Sequence, residues 1–243
     1  MFDVSNKKIL ITGGSSGIGK ALAEGFFKAD ALVTCLDIKK FEGPKKINYI
    51  KCDLSKIKSI DLALKEYIKN NSCPDVLINC AGTTHPGKSN EYKLTDWNNT
   101  LEINLTAIFH ICKKVGDLMI SSKIKGSIIN YTSIGAEQGF PDNPAYAATK
   151  GAVKQLTKAL AVEWGEHHIR VNNIAPGYTA TPMNVKSWND KRLRKKRSDQ
   201  TILKRWAKPE EMVGPSIFLA SDASSYVTGI DLVVDGGWLA KGI

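Results

Sequence analysis

The segment Tyr146-Ala147-Ala148-Thr149-Lys150 sets a phenol and an ammonium four residues apart. If it is helical, the two side chains share one face, a single turn from each other. A phenol has a pKa near ~10 and is a poor base at neutral pH. A cation held beside it favours the phenolate and brings it toward working pH. Such a pair can take a proton from a hydroxyl group while the carbon beneath gives up a hydride. The same spacing also occurs on ordinary amphipathic helices, as a half-buried ring beside a solvated amine. The chemical reading therefore depends on what the rest of the chain brings to the pair.

Two further polar groups belong to that question. Gly126-Ser127-Ile128-Ile129-Asn130-Tyr131 reads as a strand with Thr132-Ser133 at its end. A strand end meets the start of the next helix across the connecting loop, so the Ser133 hydroxyl can hold a substrate oxygen as charge develops on it. Leu94 to about Met119 carries a long helical pattern, interrupted in character by Asn104 between Ile103 and Leu105. A buried amide there must find partners. It is either a satisfied core asparagine or a group that orders a water near the site.

A hydride needs an acceptor, and the first third of the chain has the elements to hold one. Lys8-Ile9-Leu10-Ile11 is a short apolar run. Thr12-Gly13-Gly14-Ser15-Ser16-Gly17-Ile18-Gly19 follows, and then an amphipathic stretch from Lys20. Strand, glycine turn and helix place a helix N-terminus under a phosphate. Gly13, Gly17 and Gly19 permit the tight turn, the close approach of a pyrophosphate and the packing of helix on strand. Leu32 to Leu36 is a second strand ending at Asp37. A carboxylate there accepts hydrogen bonds from adenosine ribose hydroxyls and repels a 2′-phosphate, unless it is only a solvated or helix-capping group. Neither Ser15 nor Ser16 is basic, although Lys39 and Lys40 follow, so NAD is favoured over NADP.

Tyr49 to Cys52 reads as a third strand leading into Asp53-Leu54, and Ile57 to Ile68 as an amphipathic helix. Asp75-Val76-Leu77-Ile78-Asn79 is a fourth strand running into Cys80-Ala81-Gly82, where small residues let backbone pass close to a ligand. Ligands of open parallel sheets gather at the carboxyl ends of the strands. The glycine loop, Asp37, Asp53 and Asn79 all fall at such ends. Strands alternating with helices define an α/β class.

Bulk properties narrow the alternatives. The chain has 243 residues, 42% hydrophobic and 24% charged, as in an ordinary globular protein. No apolar run reaches the ~18 residues of a membrane span, and Met1-Phe2-Asp3-Val4 does not open a signal peptide. Five cysteines without a Cys-x-x-Cys pair read as reduced thiols of a cytoplasmic protein, and no metal site is expected. The net charge of +10 is read as a lysine-rich surface, since no nucleic-acid motif accompanies it.

Taken together, these residues resemble the short-chain dehydrogenase/reductase family. The matching motifs run from Thr12-Gly13 through Gly19, then Asp53-Leu54, Asn79-Cys80-Ala81-Gly82, Asn104, Ser133, Tyr146 with Lys150, and Pro176-Gly177. The resemblance implies a Rossmann-type, doubly wound parallel sheet of about seven strands with helices on both faces, in a single domain over residues 1–243. It also implies a tetrad: Tyr146 as acid/base, Ser133 holding the substrate oxygen, Lys150 lowering the Tyr146 pKa and binding the nicotinamide ribose, and Asn104 holding the water of a proton relay. Ser15, Ser16, Ile18, Leu54, Asn79, Ala81 and Gly82 join the glycines and Asp37 as cofactor contacts. Pro176-Gly177-Tyr178-Thr179-Ala180-Thr181 faces the nicotinamide, through Thr179 and Thr181. A homotetramer is implied as well. Cys80 departs from the second asparagine usual in that motif.

Residues 183–206 correspond to the family's substrate lid. Its basic run, with Arg192, Arg194 and Lys195, either attracts an acidic substrate or is a solvated helix. The segments Asn173 to Tyr178, Lys204-Arg205-Trp206 and Asp235 to Ala240 are similar to the sugar-acid branch. The expectation is NAD-linked interconversion of a secondary alcohol and a ketone on a sugar acid or polyol. The runner-up is reduction of an oxoacyl thioester, which Asp37 disfavours. A protein that senses NAD without turnover is the remote third.

Overall fold

The computed structural model describes residues 1–241. Its centre is one sheet of seven parallel strands in the order β3-β2-β1-β4-β5-β6-β7. The strands are β1 (Lys8–Thr12), β2 (Leu32–Asp37), β3 (Asn48–Lys51), β4 (Val76–Asn79), β5 (Ser127–Tyr131), β6 (Arg170–Pro176) and β7 (Asp231–Val234). The helices are α1 (Gly17–Lys28), α2 (Ile57–Asn71), α3 (Leu94–Leu101), α4 (Ala107–Ser121), α5 (Pro144–Trp164), α6 (Val185–Asn189), α7 (Lys191–Gln200) and α8 (Val213–Ala220). This is the doubly wound architecture expected.

Both faces of the sheet are covered, which explains strands that read as continuous apolar runs. Leu10, Leu36, Leu77, Ile128 and Val171 turn to one face and meet α2, α4 and α5. Ile9, Ile11, Val33, Ile78, Ile129 and Ile174 turn to the other and meet α1 and α8. Helices α4 and α5 approach closely at Gly116, where a Cβ would lie 2.7 Å from the Trp164 ring. Among the described residues no helix is long and apolar enough to cross a membrane.

The helical pattern from Leu94 to Met119 is two helices. Residues Glu102–Thr106 form a π-turn between α3 and α4, with the Ala107 N–H donating to the Glu102 carbonyl. Asn104 lies inside this turn and is fully buried. Such widened turns occur where a side chain has an obligation outside the helix. The lid region also divides, into α6, α7 and the irregular residues that follow; α7 has no buried residue.

One row of the sheet is polar. Asn79, Asn130, Asn173 and Asp231 stand in register on β4, β5, β6 and β7. Asn79 Nδ2 donates to Asn130 Oδ1 at 2.9 Å, and Asn130 Nδ2 donates to Thr157 Oγ1 of α5 at 2.8 Å. Thr157 Oγ1 donates to Asn173 Oδ1 at 2.6 Å, and Asn173 Nδ2 to Asp231 Oδ1 at 2.8 Å. The chain of bonds fixes the relative height of four strands and of α5, from which the site is built. Inside a protein such a network is most stabilising when its members are satisfied; here, among the described residues, the buried Asn79 Oδ1 alone of the four aligned side chains lacks a partner. Asn130→Ala breaks it at the centre and should cost about 1–3 kcal/mol of stability, read as a lower urea midpoint. An unchanged midpoint would show that the row is not needed to hold the strands.

Candidate active site

β1 pairs with β2 on one side and β4 on the other, so successive crossovers leave it in opposite directions. That divergence opens a crevice at the carboxyl ends of β1 and β4. The glycine loop lies there. Gly13 and Gly17 have φ of +73° and +52°, the left-handed region that suits glycine. A Cβ on Gly13 would meet Ala81 Cα at 2.7 Å, and the Ala81 N–H donates to Thr12 Oγ1 at 3.3 Å. The first turn of α1 has no acidic residue, and its N-cap Ser16 makes no side-chain capping bond. The N–H groups of Gly17, Ile18 and Gly19 are therefore left for an anion, and the helix dipole favours one. The cradle fits a dinucleotide pyrophosphate.

Asp37 ties this loop to the end of β2. Its Oδ2 accepts from the Ser15 N–H at 3.0 Å and its Oδ1 from the Lys39 N–H at 2.9 Å. A carboxylate has about four acceptor positions, so two remain for ribose hydroxyls. Asp53 is more occupied: its Oδ1 accepts from the Ser55 N–H and hydroxyl, and Lys56 Nζ lies 3.2 Å from its Oδ2. The Ser55 hydroxyl holds the Asp53 carboxyl below its usual pKa. Leu54 packs against the core. Asn79 turns its amide away from the crevice, to Asn130 and to Cys112 Sγ at 3.2 Å.

On the other side, α5 starts at Pro144, whose fixed φ suits a first helical position. Tyr146 and Lys150 follow on one face, with Lys150 Nζ 5.5 Å from the Tyr146 ring centroid. Lys150 is 4% exposed, and its ammonium donates to the Tyr131 carbonyl at 2.6 Å. Tyr131 ends β5, so the strand that leads to Ser133 also anchors the lysine. Ser133 is extended, and its Oγ accepts from the Gly135 N–H at 3.0 Å.

The electrostatics differ from expectation in one respect. Burial pushes the Tyr146 phenol up, and the Ser133 hydroxyl opposes it. Burial also pushes the Lys150 ammonium down to about 8. Both shifts share one cause: removal from water disfavours the charged form of each group. Lys150 faces the ring and spends a hydrogen bond on the Tyr131 carbonyl.

Asn104 joins the tetrad from the π-turn. Its Oδ1 accepts from the Thr83 N–H at 2.8 Å; its Nδ2 donates to the Thr83 carbonyl at 2.9 Å and to Thr149 Oγ1 at 3.4 Å. Both amide donors are thereby used, and the side chain clamps the segment after Gly82 against α5. A Cβ on Gly82 would lie 3.4 Å from Asn104 Oδ1 and 3.9 Å from Lys150 Nζ. Cys80 stands close enough to Lys150 to feel its charge, but burial pushes its thiol up to about 12. It therefore adds no negative charge there.

The loop after β6 closes the crevice. The Gly177 N–H donates to the Val234 carbonyl at 2.9 Å, extending the pairing of Pro176 with Val234. Thr179 is buried, its Oγ1 turned to the Gly177 carbonyl at 3.1 Å. Thr181 lies over the glycine loop, 3.4 Å from where a Gly17 Cβ would be. Of the basic lid residues singled out in the sequence, Arg192 is exposed, Lys195 pairs with Asp199 at 2.8 Å, and Arg194 stacks on Trp188 at 5.0 Å. The sequence reading missed Arg197, which lies 4.4 Å from the Tyr178 ring centroid. Its three-residue spacing from Arg194 was the available signal, since that places both on one face of α7.

Fold and crevice thus define a dinucleotide-binding α/β protein whose tyrosine and lysine stand beside the cradle. A family model described as "Enoyl-(Acyl carrier protein) reductase" matches residues 13–239. The chain belongs to the short-chain dehydrogenase/reductase family. It is 33% identical over 248 residues to 2-dehydro-3-deoxy-D-gluconate 5-dehydrogenase of Dickeya dadantii (strain 3937), covering 99% of this chain and 98% of the relative. Among solved structures it is similar to a 4-hydroxyisoleucine dehydrogenase complexed with NADH, at 31% identity and TM-score 0.93, covering 98% of this chain and 100% of the other. It is also similar to a gluconate 5-dehydrogenase from Burkholderia cenocepacia J2315 in complex with NADP and tartrate, at 30% identity and TM-score 0.93, covering 99% and 98%.

The buried ammonium has a measurable signature. Between pH 8 and about 10.5 the unfolded chain holds a proton on Lys150 that the folded protein has released. Stability then rises with pH across that window, while below it the burial penalty is present in full. The rise should amount to on the order of 3 kcal/mol, measured by denaturant unfolding of the protein without cofactor. Lys150→Met should lack it; the same rise in that variant would assign it to other groups.

Proposed function

We propose that the protein is an NAD-dependent oxidoreductase that interconverts a secondary alcohol and a ketone on a sugar acid of the gluconate type. The observation that carries this is the meeting of Ser133, Tyr146, Lys150 and Asn104 beside an uncapped glycine cradle. The Dickeya and Burkholderia relatives support the substrate class.

In this reading the Ser133 hydroxyl donates to the substrate oxygen and fixes the reacting carbon. Tyr146 exchanges a proton with the same oxygen. A nicotinamide, when bound, accepts or returns the hydride. At neutral pH the Tyr146 phenol, raised by burial, is protonated, which equips it to protonate the oxygen of a ketone. The oxidative direction needs the phenolate, so its rate rises with pH. Lys150 stays largely charged below pH 8 and is placed to bind a ribose hydroxyl. Asn104 holds the irregular segment after Gly82 that lines the pocket, and any water it helps to order must use the remaining Oδ1 lone pair or a main-chain carbonyl. The chain 1–243 acts as one such domain, and exposed Phe109 of α4 and Val162 of α5 offer apolar footing for a homotetramer.

Turnover is tested with sugar acids, polyols and oxoacyl thioesters against NAD(H) and NADP(H), followed through the absorbance of the reduced cofactor. Tyr146→Phe should lower kcat by about 10²–10⁴-fold and leave NADH affinity, read by fluorescence titration, unchanged. Near-normal turnover would remove Tyr146 from the chemistry. Asp37→Ala should erode the preference for NAD over NADP by about tenfold, the worth of a hydrogen bond to a charged group. A wild-type protein that prefers NADP would overturn the ribose argument.

A further inference from the structure

Arg197 is half-buried on α7 with its guanidinium against an aromatic ring. Among the described residues it forms no ion pair, whereas nearby Lys195 pairs with Asp199 and Arg205 with Glu211. It lies 4.4 Å from the Tyr178 centroid and 5.8 Å from that of Trp206. Trp206 is 5% exposed and packs on Tyr178 at 5.0 Å and on Trp188 at 5.4 Å. The guanidinium is therefore held in place by stacking, while its donors in the ring plane remain free. Arginine suits such a position, since its planar fork matches a carboxylate with two parallel bonds.

The rings that hold Arg197 lead to the reacting centre. Tyr178 meets Phe140 edge-on at 6.2 Å and Trp238 at 5.1 Å. The Phe140 ring lies 3.3 Å from a Cβ placed on Gly135, and Ser133 Oγ lies 3.4 Å from the same point. Trp238 Nε1 donates to Gln138 Oε1 at 2.9 Å, which ties the C-terminal segment to the loop after Ser133. The wall Phe140–Tyr178–Trp238 thus has the substrate-oxygen hydroxyl at one end and a free guanidinium at the other. Burial pushes the Tyr178 phenol up and Arg197 opposes it, while a charge on Tyr178 would raise the Tyr146 phenol.

We propose that Arg197 anchors the carboxylate of the substrate, and that the aromatic wall sets the reacting carbon several bonds from that carboxylate. The site then takes acids that react at a distal secondary hydroxyl or ketone and rejects acids whose only hydroxyl or ketone is adjacent to the carboxylate. The proposal rests on the sugar-acid reading above. It adds the residue that recognises the acid and the end of the molecule that reacts.

The test compares D-gluconate with D-glucitol, which keeps the distal hydroxyls and lacks the carboxylate, and with lactate, whose only hydroxyl is adjacent to its carboxylate. Arg197→Gln should raise the KM for gluconate roughly ten- to hundredfold with kcat little changed. The KM for glucitol should not move, and lactate should not be turned over by either protein. Arg197→Lys should recover part of the loss, because the charge returns without the fork. Gluconate binding without turnover, read by quenching of tryptophan fluorescence, should weaken in parallel in Arg197→Gln. Arg192→Gln, an exposed change on the same helix, serves as the control and should alter neither substrate. Equal effects of Arg197→Gln on gluconate and glucitol, or no effect on gluconate, would overturn the anchor. Turnover of lactate would overturn the distal geometry. If the wild type turns over none of the sugar acids, the sugar-acid reading itself fails; that result differs from an active enzyme indifferent to Arg197.

Discussion

An ammonium removed from water governs the geometry of this crevice. Lys150 is nearly inaccessible, and its charge is answered by one main-chain carbonyl, that of Tyr131. Burying a charge is costly unless it is hydrogen-bonded, so the end of β5 and the first turns of α5 must keep their separation. That requirement positions two side chains at once. Ser133 follows Tyr131 on the strand, and Tyr146 precedes Lys150 by one helical turn. The same dehydration raises the Tyr146 phenol and lowers the Lys150 ammonium.

Holding β5 and α5 together is the work of the polar row. Asn130 stands one residue before Tyr131, and its amide reaches Thr157 of α5 and Asn79 of β4. Asn104 does the equivalent on the opposite wall, gripping Thr83 in both directions from a π-turn. Hydrogen-bonded amides are directional where apolar packing is not. The site is accordingly framed by amides and filled by aromatic rings. The lid adds its own order by stacking guanidinium groups on Trp188, Tyr178 and Trp206.

The first five strands, the glycine turn and the helix carrying Tyr146 and Lys150 were legible from local pattern and from residues with few alternative uses, and the family resemblance supplied the count of seven. A glycine turn between strand and helix, or a tyrosine one turn from a lysine, is a local arrangement, and local arrangements leave a mark on spacing. The polar row left a weaker mark. Each asparagine interrupts an apolar strand, but their alignment depends on register across four strands far apart in sequence. Asn79 shows the consequence: a strand-end position suggested a ligand contact, and the amide instead faces the core.

What the sequence determined by itself is therefore the order of elements, the cradle and the face shared by phenol and amine. These follow from backbone sterics and helical geometry within a few residues. Only the tertiary structure decided the direction of the pKa shifts, because desolvation depends on everything packed around a group. It also decided what each lid cation meets. Arg192, Arg194, Lys195 and Arg197 are alike as charges, yet Arg194 lies on the Trp188 ring and Arg197 on the rings of Tyr178 and Trp206, brought from other parts of the chain.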